Sequence, residues 1–458
     1  MNKQIHKVLI ANRGEIAVRI IRACHDLGLQ TVAVYSEADI EALHVLHADE
    51  AICIGEPPSK LSYLKTATLL SACEITGADA IHPGYGFLSE NAGFASICES
   101  CGLNFIGPSS ETISLLGDKA DAKATARKAG CPVIPGSQGI VTDLDDAFEE
   151  IKKIGFPVFI KAVAGGGGKG IRIAHNEQEF RKQFLAARSE AEVSFGNPDV
   201  YLEKMIVNPR HIEVQVLGDK YGNVIHLGER DCTIQRRRQK LIEEAPGPVL
   251  TEKIRKELGK AAVAVVKAAG YYSAGTVEFL LDADHNFYFM EVNTRIQVEH
   301  TVTEELTGVD LVVEQIRIAR GEKLRFTQED IKFTGHVIQF RINAENPAQN
   351  FLPSPGKLEY YLPPGGPHVR VDSACYSGCV IPPTYDSLAA KLIVKGGSRE
   401  EAIARAKRAL REFHIGGIYS TIPFHLYMLE DKNFIEGTYN LNYIDSLVEE
   451  GCDFRLEN

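Results

Sequence analysis

The sequence predicts a mixed α/β (α+β) chain in about three domains, an expectation set first by its 458 residues. Residues 7–36 read strand, helix, strand, the opening of a parallel, doubly wound open sheet. From residue 118 the texture changes to short strands joined by turn residues. The segments expected are 1–117, 118–330 and 331–458.

In the first segment "KVLIA" is a short apolar run, and "GEIAVRIIRACHDLG" carries apolar residues at helical spacing before closing on Gly28. "QTVAVYS" follows as a second buried strand, and "DAIHPGYG" and "NFIGPS" read as strands that each end in a Gly/Pro turn. The first turn, "ANRGEIA", holds a single glycine where a dinucleotide pyrophosphate needs three. A Rossmann-like scaffold that binds no dinucleotide is therefore expected. The helix "DKADAKATARKAG" opens the second segment, and "FPVFIKA", "GIRIA", "VYLEKMIV", "HIEVQVLGD", "VIHLGERDC", "GTVEFLL" and "FYFMEVN" read mostly as short strands. In the third, "HVIQFRIN" alternates cleanly: His336, Ile338, Phe340 and Ile342 face a core, with Val337, Gln339, Arg341 and Asn343 opposite. "PSPGKLEYYLPPGGPHVRV" and "AAKLIVKGG" suggest further antiparallel strands, and the amphipathic helix "SREEAIARAKRALREF" closes the unit.

A net charge of −11 argues against nucleic acid or an anionic membrane surface as the main partner. No signal or transit peptide is expected in "MNKQIHKVLIANRGE", and no stretch approaches the ~18 apolar residues of a membrane helix. A cytoplasmic protein is the expectation. Cys98-x-x-Cys101 and Cys375-x-x-x-Cys379 resemble half-sites for zinc or a redox pair, yet neither has a second couple at matching spacing. Buried, reduced thiols are expected instead.

"KAVAGGGGKG", residues 161–170, puts four consecutive glycines between two lysines. A linker is excluded by the apolar strands on both sides. A Walker loop needs Ser or Thr after its lysine, whereas Gly170 follows Lys169. Gly165, Gly167 and Gly170 satisfy G-x-G-x-x-G, but "IRIA" reads as strand where a dinucleotide site needs a helix. What remains is a glycine-rich hairpin whose backbone N–H groups approach phosphate oxygens closely and which opens and shuts, with Lys161 neutralising phosphate charge.

The densest chemistry lies in "GTVEFLLDADHNFYFMEVNTRIQVEH". "DADHN" is a turn, so Glu278 returns close to Glu291, and Glu291 shares a strand face with Asn293. Two carboxylates and an amide oxygen suit Mg²⁺ or Mn²⁺ on nucleotide phosphates and do not suit zinc. Arg295 and Glu299 stand four apart. From spacing alone they are either a surface-helix ion pair or an arginine gripping a planar oxyanion beside a base. A further cluster, "CTIQRRRQK", packs Arg236, Arg237, Arg238 and Lys240 together, and anion binding in an active site is favoured over a nucleic-acid patch.

"IANRGEIAVRIIRA", "IHPGYGFLSEN", "GDK", "GGGGKG", "ERDC-x-x-QRR", "GTVEFL", "EVNTRIQVEH" and "FLPSPGK" resemble biotin carboxylase, of the ATP-grasp superfamily, in order and over nearly the whole chain. "NTRIQVEH" is highly specific. The resemblance implies an ATP-grasp fold between a Rossmann-like domain and a C-terminal domain, in a stand-alone subunit of a bacterial-type acetyl-CoA carboxylase serving fatty acid synthesis. It implies that ATP and bicarbonate give carboxyphosphate, whose CO₂ passes to biotin on a biotin carboxyl carrier protein, with carboxyltransferase subunits and a homodimer as partners. It also implies roles. Lys119, Lys161, Gly167, Gly168, His211, Gln235, Arg238 and Glu278 would lie around the nucleotide, with Glu203, Lys204, Met205 and Ile206 at ribose and adenine. Glu278, Glu291 and Asn293 would hold metal; Lys240, Arg295, Gln297 and Val298 would hold bicarbonate; Glu299 would be the base and Arg341 would stabilise the biotin enolate. Two positions depart from the family pattern: Arg238 stands where a histidine is usual, and Ala164 where the loop has its first glycine. A propionyl-CoA or pyruvate carboxylase subunit, another ATP-grasp ligase and a non-catalytic nucleotide-binding module are the alternatives.

Overall fold

The computed structural model describes residues 5–137, 139–163 and 170–454. By contacts it divides into two compact units, Met1–Cys131 with Arg210–Phe279 and Glu291–Asn458, and Pro132–Pro209 with Leu280–Met290.

The first unit opens with five strands, β1 (Lys7–Ile10), β2 (Gln30–Ser36), β3 (Glu50–Gly55), β4 (Ala80–His82) and β5 (Asn104–Phe105), in the order β3-β2-β1-β4-β5. All neighbours are parallel, as a doubly wound sheet requires. The helix Gly14–Asp26 is the first crossover; Ile16, Ala17, Ile20, Ile21 and Cys24 bury its apolar stripe. The same helix also buries Glu15 and Arg19. A helix with charged groups in its buried stripe has to find them partners.

The second unit holds β6 (Val158–Ala162), β7 (Ile171–Ala174) and β8 (Val200–Lys204), antiparallel in the order β7-β6-β8. Val158, Ile160 and Ala162 alternate into a core with Phe180, Phe184 and Leu202, which puts Phe159 and Lys161 on the other face. β6 and β7 pair from Val158↔Ala174 to Lys161↔Ile171, so the glycine stretch connects the two strands of a hairpin. Its lid reading, including Gly167 and Gly168, lies outside the described residues.

One sheet joins β9 (Arg210–Gly218), β10 (Val224–Arg236), β11 (Gln239–Ala245), β12 (Ser273–Leu281), β13 (Phe287–Asn293), β14 (His336–Asn343) and two further strands, Val369–Ser373 and Leu388–Gly396. Its order is β13-β12-β9-β10-β11-β14, then Leu388–Gly396, then Val369–Ser373. The sheet is continuous across residue 330, where the sequence suggests separate segments. β14 has the bounds read from its alternation, but both its faces are covered. Ile338, Phe340 and Ile342 enter an aliphatic core, while Gln339 and Arg341 face a layer of buried charge.

Of the cysteines, Cys24, Cys73, Cys98 and Cys232 are buried and free, as expected of reduced thiols, Cys131 is buried as well, and Cys53 and Cys101 are exposed. Among the described residues no helix is long and apolar enough to cross a membrane.

Candidate active site

A charged layer lies on one face of the large sheet. β9 contributes His211, Glu213 and Gln215 at alternate positions, β10 Arg230, β11 Lys240 and Glu243, β12 Glu278, and β14 Gln339 and Arg341. Every one of these strands is covered on both faces, so period-two alternation here selects between an apolar core and a polar one.

The Lys240 ammonium sits at the centre, 2.6 Å from Glu213, 2.6 Å from Glu299 and 3.2 Å from Glu278. It is the shared counter-ion of three buried carboxylates, which together hold its pKa well above the usual lysine value against the effect of burial. Arg230, fully buried, donates to Glu213 at 2.5 Å, to Gln215 at 2.7 Å and to Gln297 at 2.8 Å. The amide of Gln297 in turn donates to Glu278 at 2.9 Å. His211 Nε2 lies 3.1 Å from the other Glu278 oxygen, and His211 Nδ1 is 3.3 Å from the Gln235 amide. Burial pushes the Glu278 pKa up, but Lys240 and then His211 hold it well below the carboxylate range.

Glu299 is 2% exposed and completes the layer from above. One carboxylate oxygen accepts from Lys240, and the other accepts from Arg341 at 3.0 Å, while Arg341 also donates to Glu243 at 2.6 Å. Burial raises its pKa; Lys240, Arg341 and Arg230 outweigh that and hold it far below the ordinary carboxylate value. Glu299 is therefore ionised at neutral pH.

Arg295 does not pair with Glu299. Residues 294–299 form an irregular turn rather than a helix, so four-residue spacing does not bring the two together. Arg295 instead donates to Glu90 at 2.8 Å and to the Asn293 amide oxygen at 3.0 Å. Lys240 and Arg341, not Arg295, keep Glu299 charged. The turn itself is pinned by the Gln297 carbonyl, which accepts from the His300 ring at 2.7 Å, and Val298 is half-buried beside it.

Of the expected metal donors, Glu278 lies on β12 and the other two on β13. β12 and β13 are neighbours, Glu291 and Asn293 sit two apart on β13, and burial and the Glu278 charge both raise the Glu291 pKa. Lys119, an exposed side chain, reaches Glu291 at 3.7 Å. Arg238 lies in the exposed two-residue turn between β10 and β11, where Arg237 and Arg238 both take positive φ, 48° and 66°. The basic cluster is therefore divided by the hairpin. Arg236 stays on its strand and donates to Asn350, and Lys240 alone of the four cations reaches the buried carboxylates.

Within the second unit, Lys161 and Glu203 form an ion pair on one face of β6 and β8, and the Lys161 ammonium stands 5.1 Å above the Phe159 ring. The Lys204 side chain donates to the Phe156 carbonyl at 2.6 Å, and the Met205 backbone N–H donates to the Pro157 carbonyl at 3.0 Å. Ile206 is half-buried just beyond β8.

Glu90, Glu213, Arg230 and Glu243 are missed by sequence reading. The available signal was charge inside otherwise apolar strands, as in "HIEVQV" and "KLIEEA".

Three family descriptions match: biotin carboxylase, N-terminal domain, over residues 4–113; carbamoyl-phosphate synthase L chain, ATP binding domain, over residues 118–327; and biotin carboxylase C-terminal domain, over residues 339–446. Biotin carboxylase 1 of Bacillus subtilis is 58% identical over 443 residues, covering 96% of this chain and 98% of that protein. The biotin carboxylase domain of a thermophilic 2-oxoglutarate carboxylase, solved with bicarbonate, superposes with a TM-score of 0.94 at 50% identity, covering 99% of this chain and 100% of the other. The corresponding domain dimer from Hydrogenobacter thermophilus, solved with magnesium ADP, ADP and bicarbonate, gives 0.89 at 52% identity, covering 100% of both chains.

Proposed function

The chain belongs to the biotin carboxylase family, a family of ATP-dependent ligases, and we propose that it carboxylates biotin with the residues assembled around Glu299. In this reading bicarbonate, losing its proton to Glu299, attacks the γ-phosphate of ATP and displaces ADP to give carboxyphosphate; this splits into CO₂ and phosphate, the phosphate takes the N1 proton of biotin, and N1 captures the CO₂. The observation that carries the proposal is the buried Glu299 carboxylate held between Lys240 and Arg341.

Bicarbonate is an anion, and the layer offers two cations, Lys240 and Arg341, whose partners are carboxylates. Lys240, Arg295, Gln297 and Val298 are the groups assigned to it. As bicarbonate draws Lys240 toward itself, Glu299 loses part of the charge that depresses its pKa. Its basicity rises just when the bicarbonate proton must leave. Arg341, on the other Glu299 oxygen, is assigned to stabilise the biotin enolate.

Glu278, Glu291 and Asn293 would supply the hard oxygen donors that Mg²⁺ or Mn²⁺ takes, and a Glu291 carboxyl raised by burial and by the Glu278 charge fits a cation there. When bound, that ion supplies charge neutralisation for phosphoryl transfer. Lys119, His211, Gln235 and Arg238 are assigned to the nucleotide. On the second unit, Lys161 with Gly167 and Gly168 is assigned to phosphates, and Glu203, Lys204, Met205 and Ile206 to ribose and adenine.

Biotin is proposed to arrive on a separate carrier protein and to leave for carboxyltransferase subunits, with acetyl-CoA as the acceptor, in the cytoplasm and from a homodimer. Similarity to 2-oxoglutarate carboxylase domains makes a keto acid the competing acceptor. The methionines Met1, Met205, Met290 and Met428 lie far apart, unlike the flanked lysine of a biotin-accepting domain. Purified protein should release ADP only with both bicarbonate and biotin present, and should bear no covalent biotin on a streptavidin blot. ADP release indifferent to biotin would assign the chain to another ligase reaction.

A further inference from the structure

Lys391 is 0% exposed and lies outside every role assigned above. It stands on the strand Leu388–Gly396 directly opposite Arg341 of β14, so the two cations are cross-strand neighbours on one face. An ammonium has three donors to place. One lies 3.0 Å from Glu15, at the start of the first crossover helix, and Asp372 is at 3.8 Å. Both anions have other partners: Glu15 accepts from the Tyr85 hydroxyl, and Asp372 is gripped by Arg370 through two bonds of 2.8 Å. Another donor goes to the carbonyl of Val298 at 3.1 Å, whereas Asp372 is too distant for a hydrogen bond.

That last bond gives the lysine a function beyond ion pairing. Arg341 holds the Glu299 side chain, and Lys391 holds the carbonyl of the peptide immediately before it. Because a peptide is planar, fixing the Val298 carbonyl fixes the plane that carries Glu299. The Val298 N–H is only one φ/ψ pair away, in the peptide anchored at the Gln297 carbonyl by His300. We infer that Lys391 is a positioning residue for bicarbonate, orienting through the Val298 carbonyl both the backbone that receives the anion and the base that deprotonates it. The inference rests on the assignment of Val298 and Glu299 proposed above.

A buried lysine that only neutralised Glu15 and Asp372 would act on stability alone. Lys391→Met and the charge-balanced pair Lys391→Met with Glu15→Gln separate the two roles. In bicarbonate-dependent ADP release, both variants should raise the KM for bicarbonate by about tenfold or more, the worth of one oriented hydrogen bond, with the KM for ATP unchanged. The pair should melt closer to wild type than the single variant while keeping the raised KM. A pair with bicarbonate KM within twofold of wild type overturns the inference, as does a pair in which both KM values rise together. A pair that cannot fold despite its balanced charge makes Lys391 a structural ion and overturns it as well. Wild type lacking bicarbonate-dependent ADP release would instead overturn the proposed function.

Discussion

The two compact units hold their charges in opposite ways. In the first, Arg230 and Glu213 are both 0% exposed, and Lys240, Glu278, Glu299, Glu243 and Arg341 interlock around them. In the second, most pairs stand in solvent: Lys152 with Glu149 and Arg181 with Glu177 run along helix surfaces, and Lys161 with Glu203 is the more sheltered pair. Interlocked buried charge is a poor way to gain stability, because desolvation offsets most of the attraction. A sheet that nonetheless assembles so many charges in its core is organised for chemistry. Charge changes in the first unit should therefore disable turnover and folding together, and those in the second should weaken nucleotide binding or do nothing.

The largest effect is expected at Lys240. Lys240→Met strands three buried carboxylates, which should cost about 3–5 kcal/mol of stability and abolish ADP release. Denaturant titration reads the first and an ATPase assay the second; a stable variant would mean the layer is hydrated and loosely coupled.

Acid should separate the units next. The pKa values of Glu299, Glu278 and Glu244 lie below their unfolded values, Glu244 because His336 and Arg399 outweigh its burial. Depressed carboxylates contribute stability above their unfolded pKa of about 4.3, and that stability is lost as pH falls below about 5. Hydrogen exchange at pH 4, corrected for intrinsic rates, should show β9–β11 and β14 losing protection before β6–β8. Uniform loss would erase the contrast between the units.

A smaller, more selective change is expected at Lys161. Lys161→Gln removes one charge-assisted contact and should raise the KM for ATP by about 10–100-fold, leaving the KM for bicarbonate alone. A shift in the bicarbonate KM would place the lysine in the wrong role. Lys152→Ala, removing an exposed helix pair, should leave melting temperature and kinetics unchanged.

Sequence periodicity reached the parallel sheet and β14 because their apolar positions recur at the strand and helix periods and their turns carry glycine. It put Glu278, Glu291 and Asn293 on two neighbouring strands because a short turn joins them. It did not reach Glu213, Arg230 or Glu90. Arg295 finds Glu90 across 205 residues, and Arg230 finds Gln297 across 67, distances over which spacing carries no information. Alternation also implies one solvated face, and these strands have none. Of the two readings of the Arg295–Glu299 spacing, the helix ion pair fails for a local reason, since the intervening residues form a turn.

Glu299→Gln tests the central claim most directly, because it keeps the shape of the side chain and removes the base. With ATP binding measured separately, bicarbonate-dependent ADP release should fall by about 10²–10⁴-fold while nucleotide affinity stays within a few-fold of wild type. Turnover retained within a few-fold, with only a lower melting temperature, would make Glu299 a structural counter-ion of Lys240 and Arg341 and contradict the account.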